Sequence, residues 1–218
     1  MPSPFDQSTY QVRLEWGVSG LDRLAPTDVV IVVDVLRFSS TVADAVAAGV
    51  TILLDDALRW STNGAAVTAA ATADTVLIGG IRNAAAVARA VQVVQETRGA
   101  RTSVAVIAAG ELDAGTIRFA VEDHLGAGAV IAALTDLGID HTSPEAAAAA
   151  ESFRSLRGAL RHLLGASGSG RELEIGVAST ARMEAAGIVP TSTEGAATLD
   201  AVSVAPMVRE GRLVAFDG

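Results

Sequence analysis

The chain has no cysteine. Disulfides, thiolate nucleophiles and cysteine-ligated zinc are excluded, and a reducing compartment is the expected setting. Aromatic residues are scarce at 4%, whereas 50% of the chain is hydrophobic, so alanine, valine and leucine must fill a sizeable core. Clusters of basic residues are missing too. With 16 Lys and Arg against 25 Asp and Glu, a net charge of −9 argues against a nucleic-acid partner. No apolar run approaches the roughly 20 residues needed to cross a bilayer. Met1 to Gln7 lacks the basic region and apolar stretch of a signal peptide. The expectation is a cytoplasmic protein with no membrane partner. Its 218 residues fit a single domain, 1–218.

Familiar sites are also absent. No Gly-x-Gly-x-x-Gly follows the first strands, and no Gly-x-Ser-x-Gly elbow offers a serine nucleophile. A haloacid-dehalogenase pattern needs a second Asp two residues after Asp34, where Leu36 stands. His124, His141 and His162 lack metal-ligand spacing; His141 and His162 read as surface residues, and His124 is weakly placed for proton transfer. The glycines of Gly165–Gly170 resemble a phosphate loop only superficially, since no strand precedes them and no Lys-Ser/Thr follows.

What is present centres on Asp28 to Ala48. Val29 to Val33 is an unbroken β-branched run, as in a parallel strand buried on both faces. It stops at Asp34, and an alanine-rich helical pattern begins near Ser40. Arg37, Ser39, Ser40 and Thr41 stand between them, a cation and three hydroxyls at a strand-to-helix turn. Open α/β sheets bind ligands at the carboxyl ends of their strands, and helix N-termini favour anions. Asp34 beside an anion would be repelled unless a cation intervenes or Asp34 acts on it chemically. The turn therefore reads as an oxyanion site with an acidic edge suited to Mg²⁺.

Elsewhere, Tyr10 to Trp16 alternates as an edge or half-buried strand does, and Leu21 to Leu24 suits a short helical turn. Gly49 ends the central helix, and Val50 to Leu54 predicts the next strand. Asp55 to Trp60 looks too short for a full helix, while Ala65 to Ala73 predicts one after Ser61-Thr62-Asn63-Gly64. Thr75–Ile78 and Ser103–Ala108 predict strands, and the residues from Asn83 to Gly99 an amphipathic helix. Gly110–Gly115 predicts a loop, and a helix runs from Val121 or Glu122 to Leu137. Another starts at Pro144 and reaches about Leu164; Gly165–Gly170 is a loop, and a short helix covers Thr180 to Ala186. Val202–Val208 and Leu213–Phe216 suit a β-hairpin appendage within 202–216. No internal repeat is evident. The alternation predicts a three-layer α/β/α sandwich with a mostly parallel sheet.

Polar side chains gather at Asp34–Thr41, Ser61–Gly64, Gly110–Gly115 and Glu122-Asp123-His124, all in positions that strand-end loops could bring to one cleft. Ser40, Asn63 and Glu122 also suit plain helix starts. Arg37, Asp34, Glu122 and Asp123 are not needed as caps. These residues resemble a family. Val-Val-Asp-Val-Leu-Arg-Phe-Ser-Ser-Thr (32–41), Thr-Asn-Gly (62–64), Asn-Ala-Ala-Ala-Val-Ala (83–88) and Ala-Ala-Gly-Glu (108–111) are similar, in order, to 2-phosphosulfolactate phosphatases. So are Glu-Asp-His-Leu-Gly-Ala-Gly-Ala (122–129) and Val204-Ala205-Pro206. The resemblance implies a Mg²⁺-dependent acid phosphatase of α/β/α architecture that releases phosphate from 2-phospho-3-sulfolactate, a step toward coenzyme M. The chain departs from the family by passing almost directly from Leu54 to Ser61, where relatives carry a Gly-Glu and a Gly-Phe-Asp-x-Gly-Asn-Ser-Pro segment. Ala65 replaces the usual Thr, and Ala109 and Leu125 replace customary cysteines.

The expected activity is Mg²⁺-assisted hydrolysis of a small phosphorylated acid. Asp34, Glu122 and Asp123 are the expected metal ligands, with Asp34 also a nucleophile or water activator. Asp34, Arg37 and Glu122 form the expected catalytic set. Arg37 would clamp phosphate bidentately, helped by Ser39, Ser40, Thr41, Asn63 and Gly64; Glu111 is a secondary metal or acid–base candidate. The alternatives are a non-catalytic phosphometabolite-binding protein that keeps the anion site, and a structural subunit. The alanine-rich composition is compatible with a homodimer, and alanine and arginine usage points to a high-GC bacterial source.

Overall fold

The computed structural model describes residues 3–113 and 115–218. Strand β1 (Val12–Trp16) is followed by α1 (Gly17–Arg23), β2 (Val29–Val33), α2 (Phe38–Ala47), a two-residue β3 (Ile52–Leu53), α3 (Leu54–Trp60), α4 (Gly64–Ala70) and β4 (Thr75–Gly79). A tight turn at Ile81–Asn83 leads to α5 (Ala84–Arg98), β5 (Val104–Ala108), a small hairpin of β6 (Glu111–Asp113) and β7 (Thr116–Arg118), and α6 (Val121–Asp136). Next come α7 (Pro144–Leu156), α8 (Leu160–Ala166), α9 (Gly168–Ile175), α10 (Ala178–Ala185) and α11 (Thr193–Ala196). The chain closes with β8 (Pro206–Arg209) and β9 (Arg212–Ala215).

Seven strands form one mixed sheet in the order β1-β5-β2-β4-β8-β9-β3. It is parallel from β1 to β4, with Ile31 level with both Val106 and Leu77, and antiparallel beyond. The β-branched run of β2 lies inside the sheet with every side chain buried. Period-two alternation divides that run between two cores. Val29, Ile31 and Val33 join Val87, Val130 and Phe153 of α5, α6 and α7 in one apolar cluster. Val30 and Val32 join Phe38, Val42 and Trp60 of α2 and α3 in the other. Each such side chain contributes about 1.5–3 kcal/mol on burial.

Helix α6 is pressed between the sheet and α7, and its glycines allow this. A Cβ on Gly126 would lie 2.4 Å from Val35 Cγ2, and one on Gly128 would lie 2.2 Å from the Ala149 carbonyl oxygen. That close approach sets the first turn of α6, with Glu122 and Asp123, near the carboxyl end of β2.

Several boundaries differ from the sequence reading. Helix α2 starts two residues before Ser40, because the turn after Asp34 is tighter than the polar run suggested. The strand expected at Val50–Leu54 is only β3, and Asp55–Trp60 lies within a two-turn helix, α3, whose Ala57 and Trp60 are buried. Gly110–Gly115 is not a plain loop: it contains β6, paired through Glu111↔Arg118 to β7. The helix from Pro144 breaks at Arg157–Ala159 into α7 and α8. Part of the Gly165–Gly170 segment is helical, since Ser167 Oγ accepts from the Gly170 N–H (3.0 Å) and starts α9. The C-terminal hairpin is not an appendage. It covers what would otherwise be the open edge of β4, through Leu77↔Met207, and carries β3 on its far side. Strand β1 does lie at a sheet edge. Among the described residues no helix is long and apolar enough to cross a membrane.

Gly128→Ala should lower stability by about 1–3 kcal/mol, because backbone of α7 blocks the new methyl group. Gly165→Ala, which meets nothing within 4 Å, should instead raise stability by up to about 1 kcal/mol. Equal melting shifts for the two variants would contradict this packing.

Candidate active site at the end of the central strand

Asp34 follows β2 directly and is 8% exposed. Its Oδ1 accepts from the Phe38 N–H at 3.3 Å and its Oδ2 from the Gly64 N–H at 2.9 Å. One carboxylate thus holds the starts of α2 and α4 together. Gly64 is required there: an added Cβ would lie 2.7 Å from Asp34 Oδ2 and 2.6 Å from Phe38 Cδ1.

The hydroxyls of the turn serve the backbone. Ser39 Oγ accepts from the Asp34 N–H (2.8 Å) and donates to the Val32 carbonyl (3.3 Å). Ser40 Oγ donates to the Val35 carbonyl (2.8 Å), and Thr41 Oγ1 accepts from the Thr191 N–H (3.2 Å). All three residues are buried. Expected as substrate donors, they instead knit the strand-to-helix turn, because a sharp reversal leaves carbonyl and N–H groups that need partners.

Asp123 bridges two strand ends. Its Oδ1 accepts from the Val35 N–H (2.7 Å) after β2, and its Oδ2 from the Gly110 N–H (2.9 Å) after β5. Glu122 is 3% exposed and makes no hydrogen bond through its side chain among the described residues. The three acids interact electrostatically. Burial, with Glu122 adding repulsion, pushes the Asp34 carboxyl from 3.8 up to about 6, although the Gly64 and Phe38 N–H groups oppose the rise. Burial, then Asp34 and Glu122, pushes Asp123 well above the usual carboxylate range. Among the described residues, however, no group of three or more His, Asp and Glu side chains is arranged to hold a metal ion. Asp34 lines a cleft at the strand ends and Asp123 does not; with its oxygens on the Val35 and Gly110 N–H groups, Asp123 braces the strand ends from behind.

Arg37 turns elsewhere. Its Nη2 donates to Thr180 Oγ1 on α10, its Nε is buried without a partner among the described residues, and Glu184 of α10 acts on it electrostatically. Burial lowers its pKa. The structure brings Asp34, Glu122 and Asp123 together but does not bring the Arg37 guanidinium to them.

Asp34 opens onto a cleft of about 260 Å³. Ser61, Thr62, Asn63 and Glu111 line it on the sheet side. Asn63, expected to bind phosphate, makes no cap bond to α4. Glu111 is bonded by Arg118 Nε at 2.6 Å. The opposite wall comes from α9 and α10 and includes Ser169, Glu172, Ser179 and Arg182. The sequence reading missed this wall and its cation. The Ser167 cap and the Arg-Glu-Leu-Glu-Ile run after it could have signalled α9. His124 lies away from the cleft, between Phe119 (5.3 Å) and Trp16 (6.4 Å), and burial lowers its pKa.

A mixed α/β sheet with a carboxylate-rich cleft at its strand ends defines a protein of the strand-end-site class. Within that class, the chain belongs to the 2-phosphosulpholactate phosphatase family, whose model matches residues 56–211. The matched span contains Asn63, Gly64, Glu111, Glu122, Asp123 and Arg182, while Asp34 to Thr41 precede it. Comparison with curated proteins gives no match.

The raised pKa of Asp34 fixes a sign for the pH dependence. The folded state keeps a proton that the unfolded chain releases above 3.8, so this stabilisation is full below 3.8 and lost as pH rises through about 6. In metal-free buffer, melting temperature should fall between about pH 4 and pH 6.5, and Asp34→Asn should flatten the slope. An unaltered slope in the variant would contradict the assignment.

Proposed function

We propose that the chain hydrolyses a small anionic phosphate monoester in the cleft at the end of β2, the reaction type named for its family. The observation that carries this reading is the gathering of Asp34, Glu122 and Asp123 at the end of β2, with Asp34 lining a polar cleft. The apolar clusters on both faces of the sheet further support a three-layer α/β/α reading of the architecture.

Oxygen donors and uncompensated negative charge suit Mg²⁺, which needs only one or two carboxylates and retains water ligands. Asp34 and Glu122 would hold it, with Asp123 aligning the strand ends behind them. When bound, Mg²⁺ supplies positive charge against the phosphoryl oxygens. Asp34 takes the proton of a water that attacks phosphorus, or attacks phosphorus itself and is freed by water in a second step; either way the phosphorus–ester-oxygen bond breaks and the alcohol leaves with a proton from solvent. Asn63 donates to phosphoryl oxygens through its amide. Gly64 keeps Asp34 oriented, and orientation of this kind is a large part of the rate in phosphoryl transfer.

The lack, among the described residues, of three or more acidic or histidine side chains arranged around a metal position favours one second reading, a phosphometabolite-binding protein without turnover. Phosphate release measured over small phosphorylated acids separates the two. The phosphatase reading expects Mg²⁺-dependent release in the parent and a loss on the order of 10³-fold or more in Asp34→Asn, with an unchanged circular-dichroism spectrum. Tight binding without release supports the second reading, and parent-rate turnover by Asp34→Asn overturns the role given to that residue.

A further inference from the structure

The chain has no lysine, so all 16 of its basic side chains are arginines. Among the described residues lining the cleft, Arg182 is the one cation. It is exposed, and its side chain makes no hydrogen bond or ion pair among the described residues. Most other arginines near carboxylates are paired: Arg82 with Asp44, Arg98 with Asp28 and Arg118 with Glu111. Arg182 faces the cleft on α10 one turn after Ser179, a spacing that places both on one face.

The cleft is therefore electrically two-sided. Asp34 and Glu111 stand on the sheet side, while the opposite wall offers Arg182 with the hydroxyls of Ser169 and Ser179, beside Glu172. An apolar ring also forms part of the wall. Trp60 lines the cleft, is 2% exposed, and keeps its indole N–H buried with no partner among the described residues. A cleft of about 260 Å³ accommodates only a small substrate, so its two ends contact different groups of the same molecule.

We propose that Arg182 is a specificity-determining residue: it reads a second anionic group, a carboxylate or sulfonate, on a phosphate monoester whose phosphoryl end lies at Asp34. This rests on the reading of the cleft as the phosphate-ester site. The planar guanidinium fork matches a carboxylate or sulfonate bidentately, which a neutral substituent cannot satisfy.

The test compares 2-phospholactate with isopropyl phosphate, in which a methyl group replaces the carboxylate. Initial rates with Mg²⁺ are measured for the parent, Arg182→Ala and Arg182→Lys, and calorimetric binding of both compounds is measured in EDTA. The parent should prefer 2-phospholactate. Arg182→Ala should reduce that preference on the order of 10- to 100-fold, mainly through KM, and Arg182→Lys should retain part of it. Melting curves should coincide, since the side chain is exposed and unpaired. A parent that prefers 2-phospholactate while Arg182→Ala keeps the same ratio would overturn the role of Arg182 and leave the phosphatase reading intact. Binding of 2-phospholactate that depends on Arg182, without hydrolysis, would uphold the role and overturn turnover. A parent that neither binds nor prefers the acid would overturn the role.

Discussion

The burial of three neighbouring carboxylates is the constraint around which the strand-end region is built. Asp34, Glu122 and Asp123 are each at most 8% exposed, and burial of like charges raises the proton affinity of Asp34 and Asp123. Four backbone N–H groups, from Phe38, Gly64, Val35 and Gly110, oppose that cost. Those same bonds join β2, β5, α2, α4 and α6 at one point. The carboxylates thus set the charge of the site and the placement of its elements at the same point.

Small residues make this convergence sterically feasible. Gly64 lets α4 start against Asp34, and Gly126 and Gly128 let α6 lie against the sheet and α7. A chain with few aromatics can tolerate such close approaches, because valine and alanine fill the remaining volume without bulky side chains to accommodate. Leu54 to Trp60 form α3, whose Trp60 belongs to both the core and the cleft wall.

Much of this was legible in the chain. The unbroken run Val29–Val33 announced a strand covered on both faces, and the alternation with helices announced an α/β fold. The gathering of Asp34, Glu122 and Asp123 followed from placing loops at one sheet edge. Other features were hidden for physical reasons. A serine or threonine at a strand-to-helix turn has the same sequence signature whether it faces substrate or satisfies a carbonyl, so the inward turn of Ser39, Ser40 and Thr41 could not be read. Arg37 needed the position of α10, about 140 residues later in the chain, to reveal its partner. Helix α9 was masked by Gly168 and Gly170, which suggest a loop, although Gly170 is needed where α9 meets the Leu164 carbonyl.

The central claim, that three buried acids at the end of β2 share one electrostatic site, is tested most directly by carbon-13 NMR titration of the aspartate carboxyl groups. The account predicts that Asp34 titrates near 6, not near 3.8, that Asp123 titrates well above the ordinary range, and that Glu122→Gln lowers both. Asp34 and Asp123 titrating near 3.8, indifferent to Glu122→Gln, would contradict it.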